Sequence, residues 1–259
     1  MIAPDLAFWR RAPAAPPLVI GHRGAKAAAC ENTLDAFVYA FSKGARAVEL
    51  DVRVCASGEL VVFHDPTLDR LSDGRDARRV ADLPMSDLGR VALRGGAKIP
   101  LLADVFDAAA RYDAGVNVEM KHDAPDRSAI VQRTAREVRR VALRTPVIVS
   151  SFDPRMLLAL KRVAPEIPRA LLVHRRDYRR TMLAIALGSA FFRADFVHGV
   201  HIDCAVATAP LVRAIRARNL LVSVWTVNNP SEARTLADMG VDSVISDEPA
   251  VVGAAVATA

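Results

Sequence analysis

From Leu18 onward, short runs rich in Val, Ile and Leu alternate with longer segments of helical periodicity. No other feature constrains the fold as strongly. The apolar runs cover 18–22, 47–54, 116–121, 147–151, 169–174, 196–202, 221–227 and 242–246. Most lack strict apolar–polar alternation, the pattern of strands buried on both faces. Between the first two, Asn32 reads as a helix N-cap, with Leu34, Phe37, Val38 and Phe41 following at i, i+3, i+4 and i+7. Gly44 then stops that helix. Another opens at Asn229-Pro230, with proline at its first position, and closes at Gly240. Further helices are predicted over 104–112, 126–143, 154–163, 178–192, 207–218 and 250–257. Alternating strands and helices imply a parallel sheet. Eight repeats predict its closure into a (β/α)8 barrel of the TIM type, with an open doubly wound sheet as the alternative. Residues 1–259 read as one domain, of which 1–17 form a Pro/Ala-rich lead-in.

One run breaks the alternation. Residues 59–65 (ELVVFHD) are strand-like, yet only a turn at Ser57-Gly58 separates them from the second strand. A parallel crossover needs a dozen or more residues, so the two must form an antiparallel hairpin. A turn centred on Ser57-Gly58 brings His64 opposite Asp51. Residues from about 66 to 100 then read as a polar, turn-rich insertion over the barrel mouth.

Composition excludes several classes. Hydrophobic residues make up 52% of the chain and charged residues 25%, which suits a large closed core and not a disordered segment. The net charge of +6 comes from 35 Lys and Arg against 29 Asp and Glu. These basic residues are scattered. The longest clusters, Arg175-Arg176 with Arg179-Arg180 and Arg78-Arg79, are short, and no aromatic residues interleave with them as in single-strand binders. Solvated helix faces account for most of this charge and no nucleic-acid partner is expected, while peripheral contact with a membrane stays open. Cys30, Cys55 and Cys204 form no CxxC pair, which suits a reducing compartment. The start of the sequence shows no signal-peptide core, and no apolar stretch reaches the ~18 residues of a membrane span. A cytoplasmic protein is expected.

In such a barrel, function sits at the carboxyl ends of the strands. The residues expected there are His22-Arg23, Glu49 and Asp51, His64-Asp65, Glu119 and Lys121, Ser150-Ser151, His174, His201 and Asp203. The last two strands add Trp225, Asn228 and Ser246-Asp247. Glu49 and Asp51 lie two apart on one strand and share a face. With Glu119 from the neighbouring strand they supply three carboxylates, a donor set for a hard divalent cation such as Mg²⁺ or Ca²⁺. Ion pairs with Arg53 or Lys121 are the structural alternative. His22 and His64 are candidate acid and base for phosphodiester cleavage. Arg23 and Lys121 offer positive charge to a phosphoryl group.

GHRG, ENTLDAF, VELDVRV, LVVFHDPTLDR, VNVEMK and SVWTVNN, in that order between Leu18 and Pro249, resemble the glycerophosphodiester phosphodiesterase family. The resemblance implies hydrolysis of glycerophosphodiesters such as glycerophosphocholine to an alcohol and glycerol 3-phosphate. It also implies His22 and His64 as acid and base, Glu49, Asp51 and Glu119 as metal ligands, and Arg23 and Lys121 as phosphate contacts. Glu31 and Trp225 match residues near the substrate. Cys30 replaces the family's usual proline before Glu-Asn-Thr, a change that could shift Glu31. His122, His174, His198 and His201 match nothing in the motifs, and structural roles are expected for His174 and His201. The expected mechanism is attack by the substrate's own glycerol hydroxyl, followed by hydrolysis of a cyclic phosphate. A lysophospholipase D-like activity would need an apolar groove, for which Leu88, Val91 and Leu93 are candidates. A non-catalytic phosphate-binding barrel would have lost one of the site residues, and all are present.

Overall fold

The computed structural model describes residues 5–141, 144–186, 193 and 195–257. Its strands are β1 (Leu18–His22), β2 (Ala47–Val54), β3 (Leu60–Val62), β4 (Gly115–Met120) and β5 (Val147–Ser151). They continue as β6 (Arg169–Val173), β7 (Gly199–Asp203), β8 (Leu221–Trp225) and β9 (Ser243–Ser246). All except β3 run parallel, in the order β1-β9-β8-β7-β6-β5-β4-β2, and β1 pairs with β2 to close the ring. Closure decides against the open sheet. Outside the barrel lie α1 (Leu34–Ser42), α3 (Leu102–Ala110), α4 (Arg127–Val141), α5 (Pro154–Val163), α6 (Tyr178–Ala186), α7 (Ala209–Arg216), α8 (Pro230–Asp238) and α9 (Pro249–Ala257). A short helix, α2 (Met85–Leu88), belongs to the segment after β3. The expected helix ends at 142–143 and 187–192 fall outside the described residues.

Alternate residues of each strand serve two cores. Val48, Leu50, Val118, Val149, Val200 and Val222 pack outward against helix residues such as Phe37, Phe106 and Leu157. Ile20, Ala47, Ile148, Ala170, Leu221 and Ile245 pack together with Trp9, which is 4% exposed. The lead-in is therefore part of the core, and its tryptophan packs among residues that alternate with the helix-facing positions. Arg11 fastens this segment by donating to the Ala237 carbonyl at 2.6 Å, while its backbone N–H donates to Asp242 at 3.1 Å.

Several local expectations shift. Thr33, not Asn32, caps α1, its hydroxyl accepting from the Ala36 N–H at 3.3 Å. Asn32 takes a left-handed φ of 58°, tolerable for asparagine, and spends its amide on Asp51. The sixth barrel strand, β7, starts at Gly199 and not near 196, because Phe196 and Val197 donate back to the Arg193 carbonyl in a turn. In the hairpin, the loop has three residues: Cys55 donates to the Glu59 carbonyl, and Gly58 takes a φ of 96°. That count moves the register by one, so Phe63 and not His64 faces Asp51. The segment after β3 is less polar than expected. Leu88, Val91 and Leu93 are buried with Phe63, Leu68 and Ile99 in a core of its own, so none is free to line an apolar groove.

His201, on the strand face opposite Val200 and Ile202, is buried with its Nδ1 3.4 Å from the Asn117 amide. His198 is also buried and accepts the Arg169 N–H at 3.0 Å. Burial pulls His201 down to about 3, and burial with the nearby Arg169 and Lys161 charges pulls His198 down to about 4. Both are neutral in the folded chain at pH 5, where their unfolded counterparts, near 6.5, are protonated. Stability is therefore full above pH 6.5 and falls as pH drops toward 4, by about 1.4 kcal/mol per pH unit for each histidine. Urea denaturation at pH 7 and pH 5 checks this: His201→Gln should flatten the pH dependence, and an unchanged slope would contradict it.

Candidate active site

Strand register assembles the site. Glu49 on β2 is the parallel partner of His22 at the end of β1, and Asp51 is the partner of Glu119 on β4. The ligand oxygens of Glu49, Asp51 and Glu119 lie within 4.8 Å of one another, and all three side chains are buried. Burial followed by repulsion from Asp51 and Glu119 drives the Glu49 carboxyl well above the ordinary range. Burial and the Asp51 charge likewise raise Glu119, against the pull of Lys121. Asp51 goes the other way. Burial would raise it, but Lys121, Arg23 and His64 charges with the Asn32 hydrogen bond hold it below the usual carboxylate range.

Two cations brace this cluster. The Lys121 ammonium donates to Asp51 Oδ1 at 3.2 Å and to Glu119 Oε1 at 2.8 Å. Burial would lower its pKa, yet the two carboxylates lift it to about 12, so it stays charged. Arg23 donates its backbone N–H to Glu49 at 3.2 Å, pairs with Asp51 at 3.3 Å and donates to Glu31 at 2.7 Å. It sits in the left-handed region with a φ of 50°, followed by Gly24 at 90°. Any Cβ on Gly24 would come within 2.6 Å of the Ala36 backbone, so only glycine lets this loop close onto α1. Asn32 completes the shell, donating to Asp51 Oδ2 at 2.8 Å.

Each candidate acid–base histidine has a carboxylate behind it. His22 Nδ1 lies 2.6 Å from Asp247 Oδ1, and its Nε2 lies 3.9 Å from Glu49 Oε2. The other Asp247 oxygen accepts from the Asn228 amide at 3.0 Å. Burial would raise the Asp247 carboxyl, but the His22 hydrogen bond and charge, with Asn228 and Lys26, bring it down to about 2. His64 Nδ1 lies 2.6 Å from Asp65 Oδ1. Its carbonyl accepts from Arg53 Nε at 2.9 Å, and the same guanidinium holds Asp123 at 2.9 Å. Arg53 thus positions the His64 loop and does not neutralise the acidic cluster. A carboxylate on Nδ1 makes that nitrogen the donor and leaves Nε2 as the working atom of each ring.

The structure gathers His22, Arg23, Glu31, Glu49, Asp51, His64, Glu119 and Lys121 around one mouth. Glu31, which follows Cys30, is 4% exposed and clamped by Arg23 and Arg70. Trp225 stands across from this network. Its indole N–H donates to the His201 carbonyl at 3.1 Å, and its ring meets Phe152 edge-on at 5.7 Å and His174 at 6.1 Å. Sequence reasoning placed Asp65, Asn228 and Asp247 at strand ends without a role and missed Arg70. Arg70 ties Asp65 to Glu31, with a 2.6 Å bond to Glu31. Arg70 is the one arginine of the LVVFHDPTLDR stretch, but nothing in that stretch announces its contact with Glu31.

Fold and site together define a (β/α)8-barrel phosphoric diester hydrolase. The chain belongs to the glycerophosphoryl diester phosphodiesterase family, whose family model matches residues 22–251. It is 28% identical over 239 residues to a glycerophosphodiester phosphodiesterase of Caldanaerobacter subterraneus, covering 90% of this chain and 94% of that one. Among solved structures, an Oleispira antarctica phosphodiesterase in complex with its product sn-glycerol 3-phosphate is similar, with a TM-score of 0.78 and 26% identity. That match covers 93% of this chain and 96% of the other. A Thermotoga maritima glycerophosphodiester phosphodiesterase matches with a TM-score of 0.75 at 28% identity, over 93% and 98% of the two chains.

Asp247→Asn should leave the fold intact but lower kcat by on the order of 10²-fold, since an amide can hold His22 in the wrong tautomer. Steady-state kinetics with circular dichroism decide it. Unchanged turnover would show that Asp247 does not orient His22.

Proposed function

We propose that this chain, acting as a single barrel domain, hydrolyses glycerophosphodiesters to an alcohol and glycerol 3-phosphate with the help of a divalent cation. One observation carries the reading: two carboxylate-backed histidines flank three buried carboxylates whose mutual repulsion is relieved by positive charge. Glu49 and Glu119 both have raised pKa values, and a hard cation between them and Asp51 offsets the repulsion that raises them. The donor set therefore fits Mg²⁺ or Ca²⁺ held by Glu49, Asp51 and Glu119. When bound there, such an ion supplies Lewis-acid polarisation of a phosphoryl oxygen and acidifies a neighbouring hydroxyl.

The chain's own groups carry out the proton transfers. One histidine takes the proton of the glycerol hydroxyl through Nε2, and that oxygen attacks phosphorus. The other gives its Nε2 proton to the departing alkoxide. Water then opens the cyclic phosphate with the roles reversed. Arg23 and Lys121, both charged, face the phosphoryl oxygens and stabilise the charge that builds on them. Glu31, fixed between Arg23 and Arg70, keeps the Arg23 guanidinium in place. Trp225 and its neighbouring rings offer an apolar wall to the glycerol carbons or to an alkylammonium head group. Cys30, Cys55 and Cys204 are free thiols, which supports a cytoplasmic setting. Among the described residues no helix is long and apolar enough to cross a membrane.

The test is release of glycerol 3-phosphate from glycerophosphocholine by EDTA-stripped protein, with Mg²⁺ or Ca²⁺ restored. Release is expected only with metal, and His22→Ala or His64→Ala should each abolish it in a folded protein. Metal-independent release, or activity retained in either histidine variant, would overturn the assignment.

A further inference from the structure

Four arginines at one edge of the barrel mouth take no part in the site above. Arg175 and Arg176 lie in a single 3₁₀ turn directly after β6, and Arg179 and Arg180 lie in the first turn of α6. All four are exposed, and among the described residues none of their guanidinium groups makes an ion pair. Their placement is electrostatically unfavourable. The N-terminus of a helix carries partial positive charge, and α6 has no acidic residue in its first turn. Arg175 and Arg176 precede the helix by one turn, so four like charges share six consecutive residues of chain. Asp177 is the one acidic residue within the turn, and Asp203 faces it from β7, where it is engaged by the Arg175 backbone N–H and lies 3.9 Å from His174. An external anion offsets what the local structure does not.

The kind of anion follows from the neighbours. Leu183, three and four residues beyond the last two arginines, is 59% exposed, the most exposed large hydrophobic side chain among the described residues. Met182 and Tyr178 are half-buried beside it. Tyr178 and Met182 pack against the outer core, so Leu183 is the exposed apolar side chain beside the four cations. Cations with an exposed leucine at a helix end are the chemistry of an interfacial segment, which sets charge among head groups and apolar atoms below them. Nucleic-acid phosphates would use the arginines but leave Leu183 in water. The segment is also on the catalytic rim: His174, which caps the turn, lies 6.1 Å from Trp225.

We infer that the Arg175–Leu183 surface docks the barrel mouth onto an anionic phospholipid bilayer. Docking holds the site at the surface where glycerophosphodiesters arise from membrane lipids. Vesicle binding needs no turnover, so it stands or falls separately from the reading of the active site.

Co-sedimentation of the full chain with vesicles of phosphatidylcholine alone, and of phosphatidylcholine mixed with phosphatidylglycerol, tests this. Binding is expected to the mixed vesicles only, weakening as salt rises. Replacing all four arginines by glutamine should lower vesicle affinity by on the order of 10³-fold. The pairs Arg175→Gln/Arg176→Gln and Arg179→Gln/Arg180→Gln should each lose part of it, which guards against misfolding of the fourfold variant. Leu183→Asn should weaken binding without changing its salt dependence, and turnover of dissolved glycerophosphocholine should stay at the wild-type level in every variant. Equal binding to both vesicle types, no binding to either, full binding by the fourfold variant, or tighter binding to duplex DNA than to the mixed vesicles would overturn the inference.

Discussion

Three carboxylates that repel one another inside a closed barrel are the constraint around which the rest of this site is arranged. Taking a single charge out of water costs several kcal/mol, and packing like charges within 4.8 Å of one another adds to it. Lys121 and Arg23 offset part of that cost, and their engagement with Asp51 explains why it alone of the three keeps a low pKa. Glu49 and Glu119 stay raised, so the folded chain holds a site that a divalent cation would complete. The strain is local. It sits where the end of β1 meets Glu49 and Asp51 of β2 and Glu119 of β4, while Trp9 packs with Ile20 and Ala47, two residues earlier than His22 and Glu49 on their strands.

Behind each of the two histidines stands a carboxylate that fixes it, and each carboxylate is held in turn by a further group. His64 is held by Asp65, Asp65 by Arg70, Arg70 by Glu31, and Glu31 by Arg23, which returns to Asp51. His22 is held by Asp247, which is bonded to Asn228 on the neighbouring strand connection. The two histidines thus have unlike surroundings: one belongs to a chain of charges that runs into the acidic cluster, the other to a short link ending on a neutral amide. Two chemically similar rings are thereby held in unlike electrostatic surroundings.

Much of this was legible in the sequence because strand periodicity carries it. Glu49 and Asp51 share a face by their spacing, and the order of β2 and β4 adds Glu119. Closure of the barrel followed from eight apolar runs separated by helix-length segments. What the sequence left hidden depends on single-residue geometry. The hairpin loop holds three residues and not two, so Phe63 took the position expected for His64. Thr33 took the cap expected of Asn32, whose side-chain oxygen accepts the Asp51 backbone N–H and whose amide N–H donates to the Asp51 carboxylate. The Arg70–Glu31 and Asp247–His22 contacts form only through tertiary packing, over 39 and 225 residues of chain, and no local pattern announces them.

The central claim is that Glu49, Asp51 and Glu119 act together as one cation site. Calorimetric titration of Mg²⁺ and of Ca²⁺ into the stripped protein and into Glu49→Gln tests it most directly. The account predicts a single ion bound per wild-type chain, and binding lost when Glu49 becomes neutral. Equal binding by the two proteins, or no binding by the wild type, would contradict it.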